Sequence, residues 1–302
     1  MIITGKKFSK PAMSRVINGD VVLNSDEEKP EKFRLDHLLV EAYPDYNRSV
    51  LQKFIRSGYI MVDGQVVTKP NAQYEKTANI QMTIPRQPAK KTVPPTIIYE
   101  DEHVKVVDKP SGLLSIAKGD YCAEPTLEDH GLLVHRLDRD TSGVVILAKD
   151  EETRGMLRRQ FQERKAHKVY YAVVEGRPKL DEAKIDLPIA RNYNHHTTFR
   201  VDPNGKESTT FYKVIKTNDN YSLLELRPVT GRTHQLRVHL QYIGTPIVGD
   251  RVYGNKNNSQ KRLFLHAHEL EITIPGPTKE SNNIRKTFES PIPKEFYEFF
   301  ED

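Results

Sequence analysis

Apolar and polar residues fall into short blocks along most of this chain, and their lengths predict strands more often than helices. Leu132, Leu133 and Val134 lead into a polar run, His135 to Gly143, and Val144-Val145-Ile146-Leu147-Ala148 leads out of it. Short apolar runs bounded by turn residues read as buried strands, so the polar run is a loop held on both sides by the core. Ile97-Ile98-Tyr99 and Val104-Lys105-Val106-Val107 flank an acidic turn. The pattern predicts a strand from Lys168 to Glu175, ending at Gly176. It also predicts a hairpin, Ser208 to Lys216 and Tyr221 to Val229, through Asn218-Asp219-Asn220. Leu270, Ile272 and Ile274 alternate with polar residues, as on a half-buried strand. Helical spacing is rarer. Asp150 caps one helix carrying Met156, Leu157 and Phe161, and Thr233 caps another carrying Leu236, Leu240 and Ile243. Phe296, Phe299 and Phe300 fit a short helix packed on the core. Many strands with few helices laid on them predict an α+β fold.

The N-terminal third has a different pattern. Leu35, Leu38, Leu39 and Ala42 follow helical spacing. Ser49 caps a second helix with Leu51, Phe54 and Ile55 on its apolar face, and Gly58 ends it. Tyr59-Ile60-Met61-Val62 then reads as a strand, turning at Asp63-Gly64 into Gln65-Val66-Val67. Residues 85–95 hold four prolines and three basic residues, which suits a linker and no regular element. The chain therefore divides into a loosely ordered arm over 1–30, a small domain over 31–84, the linker over 85–95 and a large domain over 96–302.

Length and charge narrow the class. The chain has 302 residues, room for about two domains and a full core, and a formal net charge of +5 that fits an anionic partner. Its one cysteine, Cys122, excludes an internal disulfide and a cysteine zinc site, which suits a reducing cytoplasm. No apolar run approaches the roughly 18 residues of a membrane span, and the polar N-terminus has no signal-peptide stretch. Between Arg154 and Lys168 lie Arg154, Arg158, Arg159, Arg164, Lys165 and Lys168 against one acid, Glu163. This reads either as a track for an RNA backbone or as one solvated helix face.

The run His135-Arg136-Leu137-Asp138-Arg139-Asp140-Thr141-Ser142-Gly143 closely resembles the active-site motif of the RluA-type RNA pseudouridine synthases. The resemblance recurs in order at Lys109-Pro110-Ser111-Gly112-Leu113, Lys168-Val169-Tyr170, Thr230 to His239 and Arg262-Leu263-Phe264-Leu265-His266-Ala267. The resemblance they carry covers roughly residues 97 to 275. In the small domain, Arg34-Leu35-Asp36, Arg48-Ser49 and Ser57 to Gly64 resemble the RNA-binding module first seen in ribosomal protein S-four.

The resemblance implies a mixed, mainly antiparallel sheet with a central active-site cleft and no metal or organic cofactor. It makes Asp138 the catalytic carboxylate, Arg237 its partner and Tyr170 the residue that stacks on the uracil. It has Arg136 fill the place of a uridine drawn out of its stack. His135, Arg232, His234, Lys109, Arg158, Arg159 and Lys168 join it as substrate or RNA contacts, with Arg48, Lys53 and Arg56 doing so in the small domain.

The reaction breaks the glycosidic bond of a uridine, turns the base and rejoins it through carbon five. Asp138 can attack covalently or take the sugar's two-prime proton and release a glycal, and the sequence leaves both open. An arginine fork such as that of Arg237 can keep the carboxylate charged inside a closed site. The phenol of Tyr170 can help move the proton from carbon five. The competing readings are a loop-capping Asp138, core tyrosines, a phosphate contact for Arg136 and a surface ion pair for Arg237. His234, His239, His266 and His268 leave a zinc-dependent hydrolase as a distant alternative, although no carboxylate–histidine cluster of recognised spacing completes a site. The expected partner is RNA, most of all large-subunit ribosomal RNA. Transfer RNA, or a non-catalytic role in RNA binding or ribosome assembly, is the alternative, and the chain is expected to act as a monomer in the cytoplasm.

Overall fold

The computed structural model describes residues 2–3, 31–44, 46–83, 94–117, 125–193, 195, 197–255, 260, 262–276 and 281–301. The chain divides into two compact units, one from the N-terminal third and one holding nearly all of residues 91–302. Most of the arm and most of the linker lie outside the described residues.

In the first unit, β1 (Ile2–Ile3) pairs with β6 (Ile80–Thr83), so the arm begins in a sheet instead of loose chain. Next come β2 (Lys32–Arg34), α1 (Leu35–Ala42) and α2 (Arg48–Arg56). A hairpin of β3 (Ile60–Val62) and β4 (Gln65–Val66) follows, and β5 (Gln73–Glu75) pairs back on β2. Leu35, Leu39, Leu51, Phe54, Ile55, Ile60, Val62 and Met82 form its core. The cap of α2 is Asn47, two residues before the expected Ser49. The Asn47 side chain accepts from the Val50 amide, and the Ser49 hydroxyl donates to Asn47 instead of accepting from a helix amide.

The second unit is built on a ten-stranded sheet. In chain order its strands are β7 (Thr96–Glu100), β8 (Val104–Lys109), β9 (Leu132–Leu133), β10 (Ser142–Ala148), β11 (His167–Glu175) and β12 (Glu182–Asp186). A small separate hairpin, β13 (Ile189–Arg191) and β14 (Phe199–Val201), is followed by β15 (Thr209–Thr217), β16 (Tyr221–Pro228), β17 (Leu265–Ile274) and β18 (Ile284–Glu289). Across the sheet the order is β12-β15-β16-β11-β17-β10-β8-β7, with β18 added to β17 and β9 to β10. Its pairings are antiparallel except for β10 with β17, where Ser142 and Gly143 lie beside His266 and Ala267.

Two helices follow the sequence pattern closely. α3 (Glu151–Gln162) starts at Asp150, whose carboxylate accepts from the Thr153 amide and hydroxyl. Its Leu157 packs with Val144, Ile146 and Ala148 of β10. Val145 and Leu147, the alternate residues of that strand, pack with Leu113, Leu127, Leu133 and Leu137. β10 is buried throughout, which explains its unbroken apolar run. α4 (Gln235–Tyr242) is buried from Gln235 to Leu240. Its cap is His234, held in the left-handed region at φ 58°, and not Thr233; the cap position has no side-chain hydrogen bond. Phe296 is fully buried against Phe264, in a pair of short 3₁₀ turns where a helix was expected.

Candidate active site

Backbone stitching makes the loop before β10 rigid. Leu137 is buried, its carbonyl accepts from the Ser115 hydroxyl, and its amide donates back to that oxygen. The Asp138 carbonyl accepts from Thr141 N, the Arg139 carbonyl from Gly112 N, and the Asp140 carbonyl from the Ser111 hydroxyl. Lys109 completes the clamp. Its ammonium donates to the carbonyls of Pro110, Leu113 and Arg139 at 3.0, 2.8 and 2.9 Å. The loop closes at Gly143, where a Cβ would stand 2.1 Å from the Ala267 carbonyl oxygen, so the approach of β10 to β17 admits no side chain there.

Asp138 projects from this loop into an open cleft of about 510 Å³. Arg136, Lys168, Tyr170, Arg232, His234 and Arg237 also line the cleft, so seven of the expected site residues meet in one place. Arg237 Nη1 donates to Asp138 Oδ2 at 3.3 Å, and His234 Nε2 lies 3.8 Å from the same oxygen. Among the described residues, Asp138 Oδ1 accepts no hydrogen bond.

The two-bond fork expected between Arg237 and Asp138 goes elsewhere. Nε and Nη2 of Arg237 grip Asp250 at 2.7 and 2.8 Å. Burial opposes the charge on Arg237, but the Asp250 bonds outweigh it and raise its pKa above the ordinary guanidinium value. Burial likewise opposes the Asp250 charge, and the same bonds hold its carboxyl below the usual range. Asp250 also accepts from the amides of Val252 and Tyr253. Tyr253 Oη accepts from Phe199 N and bonds His234 Nδ1 at 2.8 Å, with its ring 5.1 Å from the Arg237 guanidinium. Burial lowers the pKa of His234, with the Asp138 charge pulling the other way.

Asp250 and Tyr253 escaped the sequence reading. A lone aspartate in Gly249-Asp250-Arg251-Val252-Tyr253-Gly254 looks like a surface turn, and the glycine before it was the one local sign of a close approach. A Cβ on Gly249 would stand 1.7 Å from the Arg262 carbonyl oxygen.

Tyr170 and Tyr171 face opposite ways, as strand alternation requires. Tyr170 lines the cleft, whereas Tyr171 bonds Glu225 and sits edge-on to His268. A bulge between Val169 and Tyr170 re-aims the strand at that point. Burial, reinforced by the Asp138 charge, raises the pKa of Tyr170 well above the ordinary phenol value. Burial also lowers that of Lys168 to about 8. Lys168 lies on β11 and lines the cleft.

Two expected RNA contacts are corrected. Lys109 has no exposed surface and its three N–H groups are occupied by carbonyls, so it fixes the loop and has no N–H left to offer a phosphate. His135 stacks on Phe161 with ring centroids 4.5 Å apart, and its Nε2 accepts from Ile146 N. Burial lowers its pKa to about 3, so it is neutral and cannot pair with a phosphate as a cation.

The remaining residues are distributed as follows. Arg158 and Arg159 are exposed on α3, whereas Arg154 donates to the Leu133 carbonyl and to Glu151. Arg232 donates through Nε to the Glu207 carbonyl. In the first unit Arg48 is drawn into a cluster on Asp36, shared with Arg34 and Gln52, whereas Lys53 and Arg56 are exposed. The histidines weighed as metal ligands have other partners. His266 bonds Ser142 and the Ser290 carbonyl, His268 bonds that same carbonyl, and His239 bonds Thr210 and the Leu187 carbonyl. Among the described residues no group of His, Cys, Asp and Glu is arranged to hold a metal ion, and no helix is long and apolar enough to cross a membrane. Chemically, the arrangement is an aspartate beside one guanidinium N–H, with one oxygen open and cations around the rim. Such a group can attack an electrophilic carbon or take a proton on a phosphate-bearing substrate.

Both units resemble known proteins. Residues 103–242 match the family of RNA pseudouridylate synthases, and residues 33–79 match the S4 domain. An uncharacterized RNA pseudouridine synthase of Aquifex aeolicus is 38% identical over 256 residues, covering 78% of this chain and 81% of the relative. The ribosomal large subunit pseudouridine synthase C of Vibrio vulnificus is 34% identical, covering 84% of this chain and 89% of the relative. Among solved structures, human RNA pseudouridylate synthase domain containing 1 superposes with a TM-score of 0.55 at 29% identity, covering 66% of this chain and 83% of that one.

Proposed function

The chain belongs to the RNA pseudouridylate synthase family, and on that premise we propose that it isomerises uridines of large-subunit ribosomal RNA with Asp138 as the catalytic carboxylate. As a member of the family it is an isomerase that acts on RNA and carries an S4 domain. One observation carries the residue assignment: Asp138 stands in the cleft with a single bond from Arg237 and with Oδ1 open, on a loop whose carbonyls are tied down. A rigidly presented carboxylate meets the need of either route, attack on the substrate or removal of the two-prime proton.

In both routes the bond from uracil N1 to the sugar breaks, a bond from carbon five to the same sugar carbon forms, the proton on carbon five leaves and N1 ends protonated; in the glycal route Asp138 also returns the two-prime proton it took. Tyr170 packs beneath the base as a neutral phenol. Because its pKa is raised by burial and by Asp138, it can accept the carbon-five proton only by passing its own onward. Arg136, exposed at the rim, occupies the gap left by the extruded uridine. The ribosomal substrate is supported by the appended S4 domain and by a relative named as acting on the large ribosomal subunit. The same reading has the chain act as a monomer in the cytoplasm, where its one cysteine stays reduced.

The test is to incubate unmodified total RNA with the wild-type protein and with Asp138→Asn, without added metal, and to map pseudouridine at single-nucleotide resolution. New sites in large-subunit ribosomal RNA, absent with the variant, are expected. Sites confined to transfer RNA overturn the ribosomal assignment, and product formed by Asp138→Asn overturns the catalytic one.

A further inference from the structure

The motif from Arg262 to Ala267 and the C-terminal segment after β18 have no part in the reaction scheme above. Both converge on one hydroxyl, that of Ser142, a buried residue where the Asp138 loop enters β10. Its Oγ accepts from Arg262 Nη2 at 2.7 Å and bonds His266 Nδ1 at 2.9 Å. These partners lie 120 and 124 residues further along the chain. His266 Nε2 faces the Ser290 carbonyl at 3.1 Å. A carbonyl can only accept, so Nε2 carries the ring proton, Nδ1 is bare, and the Ser142 hydroxyl donates to it. Burial lowers the pKa of His266, which keeps the ring in the neutral form this pattern needs. Arg262 extends the network: its Nη1 donates to Glu295, and its guanidinium lies 5.8 and 5.5 Å from the rings of Phe264 and Phe296. Ser290 and Phe296 have no exposed surface, so the C-terminal end of this network is itself anchored.

We infer that Arg262 and His266 are positioning residues: they hold the Ser142 hydroxyl from two sides and so brace the far end of the Asp138 loop against the C-terminal segment. This rests on the reading of Asp138 as the catalytic carboxylate. The backbone alone leaves that end lightly held. The antiparallel ladder of β10 with β8 starts at Gly143, so Ser142 lies outside it. The parallel contact with β17 covers Ser142 and Gly143 alone. Between Asp138 and Ser142 the turn is closed by the bond from Thr141 N to the Asp138 carbonyl, at 3.2 Å. A hydroxyl that donates to one partner and accepts from another is fixed in direction as well as in place. Removing it leaves a buried imidazole nitrogen and a guanidinium N–H facing each other across a gap, at the point where the loop meets the sheet. None of these groups lines the cleft, so the brace acts on the reaction only through the placement of Asp138.

Two readouts test the brace. Hydrogen exchange at the Thr141 amide reports the closure of the loop and needs no substrate. Turnover is measured on a large-subunit ribosomal RNA transcript labelled with tritium at uridine carbon five, whose release reports the lost proton. Ser142→Ala is expected to speed exchange at Thr141 by about tenfold or more. It is also expected to lower kcat about tenfold and to change KM by less than about threefold, as for a group misplaced at the reacting centre. His266→Gln can still donate to the Ser290 carbonyl but offers Ser142 no acceptor, and it is expected to behave alike. His266→Asn puts a carbonyl oxygen where Nδ1 stood and is expected to recover most of the loss, a difference that a role in stability alone does not predict. Ser142→Ala placed in the His266→Gln background is expected to cost less than about threefold more, since residues that act as a unit are not additive. Unchanged exchange at Thr141, a loss carried by KM, or equal kcat in the two His266 variants overturns the inference. If Ser142→Ala melts below the assay temperature, Glu295→Ala takes its place at the partly exposed end of the network. It is expected to speed the same exchange, and unchanged exchange there overturns the inference too. Asp138→Asn is assayed in parallel. Turnover by that variant sinks the reading of Asp138, whereas Asp138-dependent turnover indifferent to Ser142 and His266 sinks only this one.

Discussion

Lys109 Nζ bonds the carbonyl of Arg139, 30 residues further on and next to Asp138, at 2.9 Å. A lysine with no exposed surface is rare, and burial lowers its pKa to about 7. Three carbonyls around one nitrogen call for the ammonium form, the only one with three N–H groups. Lys109→Met keeps the length and leaves those carbonyls without a donor. It is expected to lower stability by about 2–4 kcal/mol and to loosen the loop that carries Asp138. A thermal melt reads the first effect, and faster hydrogen exchange at the Gly112 amide, which also bonds Arg139 O, reads the second. An unchanged melt removes the clamp from the account.

Tyr170 is expected to stay protonated where ordinary tyrosines ionise. Burial and the Asp138 charge both raise its pKa, so the phenolate step near pH 10 belongs to other tyrosines. A difference titration at 295 nm between wild type and Tyr170→Phe checks this, and a normal step near pH 10 in the difference contradicts it. The stability consequence has a fixed sign. Above about pH 10 the unfolded chain loses this proton and the folded one keeps it, so stability falls as pH rises through that value.

Lys168 titrates in the opposite sense. Burial lowers its pKa to about 8, so the folded protein loses this charge as pH rises through 8, while an ordinary lysine keeps it to about 10.4. Because Lys168 lines the cleft, KM for RNA is expected to rise several-fold across that window. In Lys168→Arg, whose charge persists, the rise disappears. Folding stability moves the other way and increases between pH 8 and about 10.4, because there the unfolded chain binds the extra proton. A KM that is flat with pH in the wild-type protein removes Lys168 from RNA binding.

The loop around Asp138 was legible in the sequence because two apolar runs enclose it, and burial of β10 on both faces is what makes such a run. Asp150 was legible as a cap because its carboxylate bonds the helix three residues on, a purely local act. Asn47 was missed for the neighbouring Ser49, since both are good cap residues and only geometry separates them. His135 and Lys109 were misassigned for another reason. Residue type and motif position mark them as conspicuous, but whether a polar group meets solvent or a carbonyl depends on contacts distant in the chain. Asp250 is the extreme case: its partner is 13 residues away, on a helix whose start sits on a left-handed His234. The parallel contact of β10 with β17, which needs a long crossover, was likewise beyond any local pattern.

In the first unit Asp36 has no exposed surface, and its carboxylate accepts from Arg34, Arg48 and Gln52. The Arg34 bonds hold its pKa well below the usual carboxylate value. The stability this provides is present above the unfolded value of about 3.9 and is lost as pH falls through the folded one. Both arginines are nearly half exposed, which weakens the pairs. Asp36→Asn is therefore expected to cost about 1–2 kcal/mol and to remove the acid-labile step from this unit. Hydrogen exchange of α1 and α2 amides in the full chain, followed from pH 6 down through the acid range in which the folded Asp36 takes up its proton, reads both. Identical pH dependence in wild type and variant rules the cluster out as the source.

Arg158 and Arg159 are the exposed cations of α3, and their expected role is contact with RNA phosphates. A phosphate contact releases condensed counterions, so each contributes about 0.7 to 0.9 to the slope of log K against log salt. Replacing both by alanine is expected to reduce that slope by roughly 1.5 and to weaken binding uniformly across RNA sequences. Turnover at saturating RNA should be unchanged, because neither residue lines the cleft that holds Asp138. Filter binding of a ribosomal RNA transcript at several salt concentrations measures the slope. If the slope of the double variant equals that of the wild-type protein, α3 presents only a solvated charged face, and the RNA track must be sought among the cations that remain.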